Sequence, residues 1–450
     1  MVKIAAFTAI ATTAAVAAKS VTQVHLALTN RALECAHGVS VNFASDSQDP
    51  FTVTFNSTEG NQKKVDTVSS KYSVTNTASI YTSPFLHSAN LCNLNAATTY
   101  SYNVGGLFSS TFVSPPGSSA TPTVIGLVGD ADLEEGSFTN LQQPVQNLTT
   151  QAILIVGDYS YANGNHKKWD NWYDLQQPIF SKMAQAGVNG NHEVIQASKG
   201  YAPEYYLGYL NRAATPITPD NAKNFRTYYS INFGLVHLVF LDDYVGARFR
   251  IGSTEWRGER QAQVDWLTTD LAQVDRTSTP YVVVLKHNPY YNTYSDHQCQ
   301  CSPTIYAIDN KEACWNGIYT VATAKKEPQC GLQAKLEDIY AANKVDVVFS
   351  GHVHGYERSD YVYQNKVNKD VGSVYITTGA GGRGHAHTQV PNVPSWHMYK
   401  NPSEFGASRL IATREKMQVL WHTNTDTTKA ADAVDIYPRL NAACITKGEF

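Results

Sequence analysis

Short runs of alternating apolar and polar residues fill the N-terminal part of the chain. Val39-Ser40-Val41-Asn42-Phe43 and Phe51-Thr52-Val53-Thr54-Phe55 put every second side chain on one face, the period of a strand half-buried in a sheet. Thr, Ser, Val and Tyr are abundant from Val21 to Val113, and turn residues separate the runs, so the pattern predicts an antiparallel β-sandwich over residues 19–115. The stretch Ser114-Pro115-Pro116-Gly117-Ser118-Ser119 is a linker by composition. Beyond it, alternation gives way to continuous apolar runs at 124–128, 153–156, 282–285 and 345–349, separated by amphipathic or polar segments. Strands buried on both faces read this way, so residues 121–425 are expected to form an α/β layered domain and 426–450 a C-terminal tail.

Within the first domain, Leu94-Asn95-Ala96-Ala97-Thr98-Thr99-Tyr100-Ser101-Tyr102 resembles the tyrosine-corner strand of fibronectin type III domains. Ahead of it, Lys3 precedes an apolar, alanine-rich run and then Ala15-Val16-Ala17, the pattern of a secretory signal over 1–18 cleaved near Ala17 or Ala18. The run is shorter than the roughly 20 apolar residues of a membrane span, and no later stretch is long and apolar enough for one. Seven cysteines in a secreted chain predict disulfides with one thiol left over. Cys35 and Cys92 would staple the first domain. In the Cys-rich segment 298–330, Cys299 and Cys301 each pair with Cys314 or Cys330 in an order the sequence leaves open, and Cys444 is the odd thiol. Asn56 and Asn147 begin glycosylation sequons. A net charge of -3 supplies no field to draw the protein to nucleic acid or to an anionic membrane.

The apolar runs end in chemistry. They lead into Asp130, into Asp158 with Tyr161 just beyond, into His287, and into His352 and His354, while Asn191 follows Asn189-Gly190. A strand that delivers a carboxylate or imidazole at its carboxyl end puts it on the edge of the sheet where open α/β folds bind ligands. The donors are hard oxygens and imidazole nitrogens with no thiolate, and they are numerous enough for two metal ions with a carboxylate shared between them. Gly129, Gly157, Gly190 and Gly351 precede ligand positions, where a sharp turn off the strand is expected.

The series Gly157-Asp158-Tyr159-Ser160-Tyr161, Gly190-Asn191-His192-Glu193, a strand ending at His287, and Gly351-His352-Val353-His354-Gly355-Tyr356-Glu357-Arg358 resembles that of purple acid phosphatases, in the metallophosphoesterase superfamily. The match extends through Trp169-Asp170-Asn171-Trp172, Tyr228-Tyr229-Ser230, Asn288-Pro289-Tyr290-Tyr291-Asn292, Gly379-Ala380-Gly381-Gly382 and Phe405-Gly406. The resemblance implies a fibronectin type III-like sandwich followed by an α-β-β-α metallophosphoesterase domain. It implies Asp130, Tyr161 and His354 as ligands of a ferric ion, Asn191, His287 and His352 as ligands of divalent zinc, manganese or iron, and Asp158 as the bridge. His192 and His297 would contact phosphate and assist departure of the leaving group. The implied activity is that of a secreted acid phosphatase, hydrolysing small-molecule phosphate monoesters by attack of a metal-bound hydroxide at an Fe(III)–M(II) centre. A homodimer is also implied, to which Cys444 would contribute an interchain bond.

Two positions depart from the family pattern. The first motif reads Asp130-Ala131-Asp132, so Asp132 is expected either to crowd the ferric site or to take over as its ligand. Asp296-His297 stands where plant-type relatives carry two histidines, which would alter substrate preference, and the Cys-rich insertion would narrow the site's rim. The alternatives are a phosphodiesterase or nucleotide pyrophosphatase on the same fold, and a secreted binding protein with an inactive metal domain. Tyr161 and the plant-type architecture weigh against the first, and the seven filled ligand positions against the second.

Overall fold

The computed structural model describes residues 19–439, apart from 30–34, 36, 59, 76–79, 119–121, 134–135, 137–138, 140, 143–148, 195–202, 296, 299, 303, 319–326 and 387. The expected signal segment, Asn147, Asp296, Cys299 and Cys444 therefore lie outside the described residues.

Alternation becomes sandwich strands where one face is solvated. Strand Thr52–Ser57 buries Val53 and Phe55, and Thr99–Val104 buries Tyr100, Tyr102 and Val104. These two pair antiparallel in a sheet with Phe108–Val113 and Lys63–Asp66. The Tyr100 hydroxyl accepts the Asn95 N–H at 3.0 Å, the tyrosine-corner bond that the sequence suggests. A Cys35–Cys92 disulfide closes this region.

Thr22–Leu28 and Val39–Ser45 are instead buried almost throughout. The cause lies across the linker, because Thr22–Leu28 pairs in parallel with Ala184–Val188, Ala27 opposite Gln185. One sheet thus runs from Val68–Ser70, Phe85–Leu91, Val39–Ser45 and Thr22–Leu28 into Ala184–Val188, Ala152–Val156 and Thr123–Val128, and on to Gly406–Ala412, Met417–Thr423 and Asp432–Ile436. Helix Lys167–Phe180 lies at the seam, where Gln177 Oε1 accepts the Val24 N–H at 2.8 Å. Beside it, buried Arg212 pairs with buried Asp170 and donates to Gln23 Oε1 at 3.2 Å. Removing one partner of such a pair strands a buried charge, at a cost of about 3–5 kcal/mol.

The second sheet orders Tyr229–Phe233, Val236–Phe240, Tyr281–Leu285, Val347–Ser350, Ser373–Thr378, Tyr356–Tyr363 and Lys366–Val367. Its central strands alternate between two cores. Val283, Leu285, Val347 and Phe349 pack with Ile125, Leu127, Ile153 and Ile155 of the first sheet. Val282, Val284 and Val348 pack with Val264, Leu267 and Leu271 of helix Thr254–Ala272 and with Leu336 and Tyr340 of helix Gln333–Ala342. The result is the layered α-β-β-α domain, its central strands fully buried because both faces are covered. Asp432–Ile436, expected in the C-terminal tail, is an edge strand of the first sheet; Asp432 is anchored there by Arg358 at 2.6 Å and the Tyr356 hydroxyl at 2.9 Å.

Candidate metal centre

The carboxyl ends of Thr123–Val128, Ala152–Val156, Ala184–Val188, Tyr281–Leu285 and Val347–Ser350 meet at one place, and each hands over a polar side chain there. The turns off these strands depart from expectation. Asp130 (φ 57°), Asp158 (φ 54°), Tyr161 (φ 47°) and His352 (φ 68°) themselves adopt left-handed backbone, and of the four preceding glycines only Gly157 (φ 91°) does. Strain of about 1–3 kcal/mol per residue is therefore stored in the candidate ligands. Gly190 serves a different need, since a Cβ there would collide with the Asp158 carboxylate.

Two trios of donor atoms result. In one, the Tyr161 hydroxyl lies 3.1 Å from Asp130 Oδ1 and 3.0 Å from His354 Nε2. In the other, Asn191 Oδ1 lies 3.0 Å from His287 Nε2 and 2.9 Å from His352 Nδ1. Asp158 stands with them, its Oδ2 3.3 Å from His287 Nε2 and 3.8 Å from His192 Nε2. The ligand atoms of Asp158, His287 and His352 fall within 4.8 Å of one another. All seven predicted positions are thus brought together. Asp132 is not in either trio; its carboxylate pairs with Arg383 at 2.7 Å, and the Arg383 guanidinium lies 4.9 Å over the Tyr161 ring. Crowding is relieved by that pairing, and Asp130 holds the position facing Tyr161.

The electrostatics suit cations. Burial pushes Asp130 well above the carboxylate range, and burial together with Asp130 does the same to the Tyr161 phenol. Burial also pushes Asp158 upward, but His287 and His192 outweigh it and hold the carboxyl below its ordinary range. His352 and His354 are lowered to about 4 by burial, so at mildly acidic pH they are neutral, the form that lends a lone pair to a metal. His287 is raised to about 10: burial opposes the shift, and the facing carboxylates Asp158 and Asp130 drive it. A pocket whose carboxylates hold a proton on a buried imidazole would equally hold a metal cation there. Two clusters of oxygen and nitrogen donors, no sulfur, and a further buried carboxylate beside them fit a pair of metal ions.

Sequence reading passed over several supporting groups. Glu193, inside the Gly190–Glu193 motif, accepts N–H groups from Asp158 at 2.8 Å, Tyr159 at 3.0 Å and Gly190 at 2.8 Å, tying two ligand turns together. Asp243 accepts the His287 and Asn288 N–H groups at 2.8 and 2.7 Å and pairs with Lys286 at 2.9 Å. His192 packs against Tyr161 at 4.2 Å between ring centroids and pairs with Asn163. Burial lowers the His192 imidazole, against the pull of Asp158. His297 lies 3.9 Å from His352, ring to ring, with its Nδ1 2.8 Å from Glu327 in the Cys-rich insertion. That insertion, closed by a Cys301–Cys314 disulfide and with Cys330 also disulfide-bonded, reaches the site itself.

Fold and donor clusters define a hydrolase of the calcineurin-like phosphoesterase class, whose family profile matches residues 123–356. Residues 372–433 match the profile described as iron/zinc purple acid phosphatase-like protein C. The chain is 31% identical over 349 residues to Purple acid phosphatase 22 of Arabidopsis thaliana, covering 77% of this chain and 70% of that protein. It is 30% identical over 375 residues to Purple acid phosphatase 1 of Ipomoea batatas, covering 77% and 69%. The solved structure of purple acid phosphatase PPD1 from yellow lupin seeds shares the fold, with a TM-score of 0.70 at 20% identity over 93% of this chain and 74% of that one. The chain belongs to the purple acid phosphatase family; it is an acid phosphatase that hydrolyses small phosphate monoesters at a binuclear metal centre.

Proposed function

We propose that Asp130, Tyr161 and His354 hold a ferric ion, that Asn191, His287 and His352 hold divalent zinc, manganese or iron, and that Asp158 is shared between them. The observation that carries this reading is the convergence of two separate donor trios, each within about hydrogen-bonding distance, with the buried Asp158 carboxylate 3.3 Å from His287. Ions at these positions would neutralise the phosphoryl oxygens and acidify the attacking water, the chemistry a phosphate monoester needs. The chain's own residues do the remainder. His192, beside Asn191, binds a phosphoryl oxygen, and His297 delivers a proton to the departing ester oxygen through Nε2, its Nδ1 being turned to Glu327. Tyr161 is the source of visible colour.

Disulfides at Cys35–Cys92 and Cys301–Cys314 support a secreted protein, since such bonds persist in oxidising compartments. Dimerisation through Cys444 is part of the same reading, and a non-reducing gel checks it.

The test is a visible absorption spectrum of the purified protein with metal content measured on the same sample and turnover of an aryl phosphate at about pH 5. A violet band, iron with a second metal, and acid turnover are expected. Tyr161→Phe abolishes the band while leaving iron bound. A colourless, fully metallated wild type overturns the assignment of Tyr161.

A further inference from the structure

The carboxylate of Glu327 stands between two imidazoles of the centre, yet it comes from a segment that supplies none of the seven candidate ligands. Its Oε1 is 2.8 Å from His297 Nδ1 and 3.5 Å from His352 Nε2. Its Oε2 accepts from Asn288 Nδ2 at 3.4 Å, next to His287, and from Gln329. The side chain is 14% exposed, whereas that of His297 is 42% exposed and sits on left-handed backbone at φ 53°. Glu327 also stands at the N-cap position of the short 3-10 helix Pro328–Leu332, its side chain left for the site. Cys330 in that turn is disulfide-bonded, and Cys330 and Leu332 are packed into the core beneath helix Gln333–Ala342. A half-exposed imidazole thus leans on a largely buried carboxylate whose chain leads into a disulfide-bonded turn.

We infer that Glu327 is a positioning residue, through which the disulfide-stapled insertion orients both His297 and the divalent-metal ligand His352. The argument is one of tautomers. His352 turns Nδ1 towards Asn191 Oδ1, which leaves Nε2 as its outer nitrogen, and metal-binding histidines characteristically donate that second N–H to a carboxylate. His297 has the complementary need. Donation of Nδ1–H to Glu327 fixes the ring's rotation and leaves Nε2 as the nitrogen that meets substrate. Without the carboxylate, an exposed imidazole regains rotamer freedom, and orientation is lost before binding is. An unpaired carboxylate here would repel a phosphate; bonded to two imidazoles, its charge is shared with them.

This inference rests on the two-metal reading, and the test separates the two. Glu327→Gln, His297→Ala and the double variant are compared with the wild type as metallated, purified enzymes. Glu327→Gln is expected to keep the violet band and the iron, to lower kcat for an alkyl phosphate by about 10- to 100-fold with a much smaller change in KM, and to release its divalent ion to a chelator faster. In the His297→Ala background the further loss in kcat is expected to shrink, because one of the two residues through which Glu327 acts is gone, while the faster release of the divalent ion, which runs through His352, persists. Wild-type kcat and divalent-ion release in Glu327→Gln, with a violet and active parent, overturn the role of Glu327 alone. A full additional loss in the His297→Ala background also overturns it. A colourless, iron-free parent overturns both readings.

Discussion

Asp130 and Tyr161 are 0% and 1% exposed, with Arg383 lying over the phenol ring, whereas Asn191 and His352 line a cleft of about 580 Å³ together with His297, Glu327, Tyr244 and Arg250. The phenol half offers a carboxyl, a phenol and one imidazole, two of which become anionic on losing protons. The imidazole half offers a neutral amide and two imidazoles. Under the proposed assignment, ionisable oxygens suit the ion of higher charge and neutral donors suit a divalent ion. Both halves hang from similar strand ends, and depth does not divide them, since His354 is 28% exposed while His287 is fully buried, so any division of labour comes from donor type rather than from topology. Support differs as well. The imidazole half is backed by two acids at the end of strand Val236–Phe240: Asp243, which holds the His287 turn, and Asp242, whose Oδ1 accepts from Tyr244 N–H at 2.8 Å and Asn189 Nδ2 at 3.2 Å.

The largest effect is expected where the halves meet. Asp158→Asn removes the charge they share, so both metals should be lost and kcat should fall on the order of 10³-fold or more, several kcal/mol of charge stabilisation at about 1.4 kcal/mol per tenfold. Metal analysis of the purified variant is the check. If it retains a full equivalent of each ion, the two halves are independent and Asp158 is not a shared ligand.

Leaving-group chemistry should belong to the imidazole half alone. His297→Ala is expected to lower kcat for an alkyl phosphate by about 10²- to 10³-fold, and far less for 4-nitrophenyl phosphate, whose leaving group departs without a proton. His192, lowered by burial and set against Tyr161, has the proposed role of a phosphate contact, so His192→Ala should slow both substrates alike. An equal loss on both substrates in His297→Ala would assign that residue to phosphate binding too.

The candidate donors Asp130, Asp158, His287 and His352 were legible in the sequence because each sits at or just beyond the end of an apolar run, and the structure brings them together there. The sandwich strand Thr52–Ser57 was legible for the same reason, its alternation being local. What the sequence hid is non-local. Nothing in the alternation of residues 39–43 shows that Thr22–Leu28 will pair with Ala184–Val188, because partner choice in a sheet depends on what else is available to cover both faces. Glu327 reaches His297 from 30 residues away, through a fold of the insertion that depends on its disulfides. Asp132 was visible as an anomaly, but Arg383, 251 residues on, decides its role. The glycines before the ligands suggested sharp turns, yet the turns are taken by the ligands, since surrounding contacts fix Asp130 and His352 in conformations they would not choose alone.

The smallest expected effect sharpens the contrast in support. Burial raises the Asp242 carboxyl to about 6 from its ordinary 3.8, against hydrogen bonds from Tyr244, Asn189 and Thr227. Its Oδ2 is buried with no hydrogen-bond partner among the described residues, which makes it the oxygen that carries the proton. Below 3.8 the acid is protonated in folded and unfolded chains alike, and it contributes no pH dependence. Between 3.8 and 6 the folded protein keeps the proton that the unfolded chain releases, so this group's contribution to stability falls as pH rises, and the fall is complete above 6. The full penalty is about 3 kcal/mol, from a shift of about 2 units at 1.36 kcal/mol each. Asp242→Asn imitates the protonated acid at every pH. It should therefore unfold like the wild type at about pH 3.5, exceed it modestly at pH 5, and exceed it by up to about 3 kcal/mol at pH 7 in denaturant titrations. A gap that does not widen with pH would mean that burial does not raise Asp242 in the folded protein. A widening gap means that in acid, where the enzyme works, Asp242 is neutral and adds no negative charge to the support of the imidazole half.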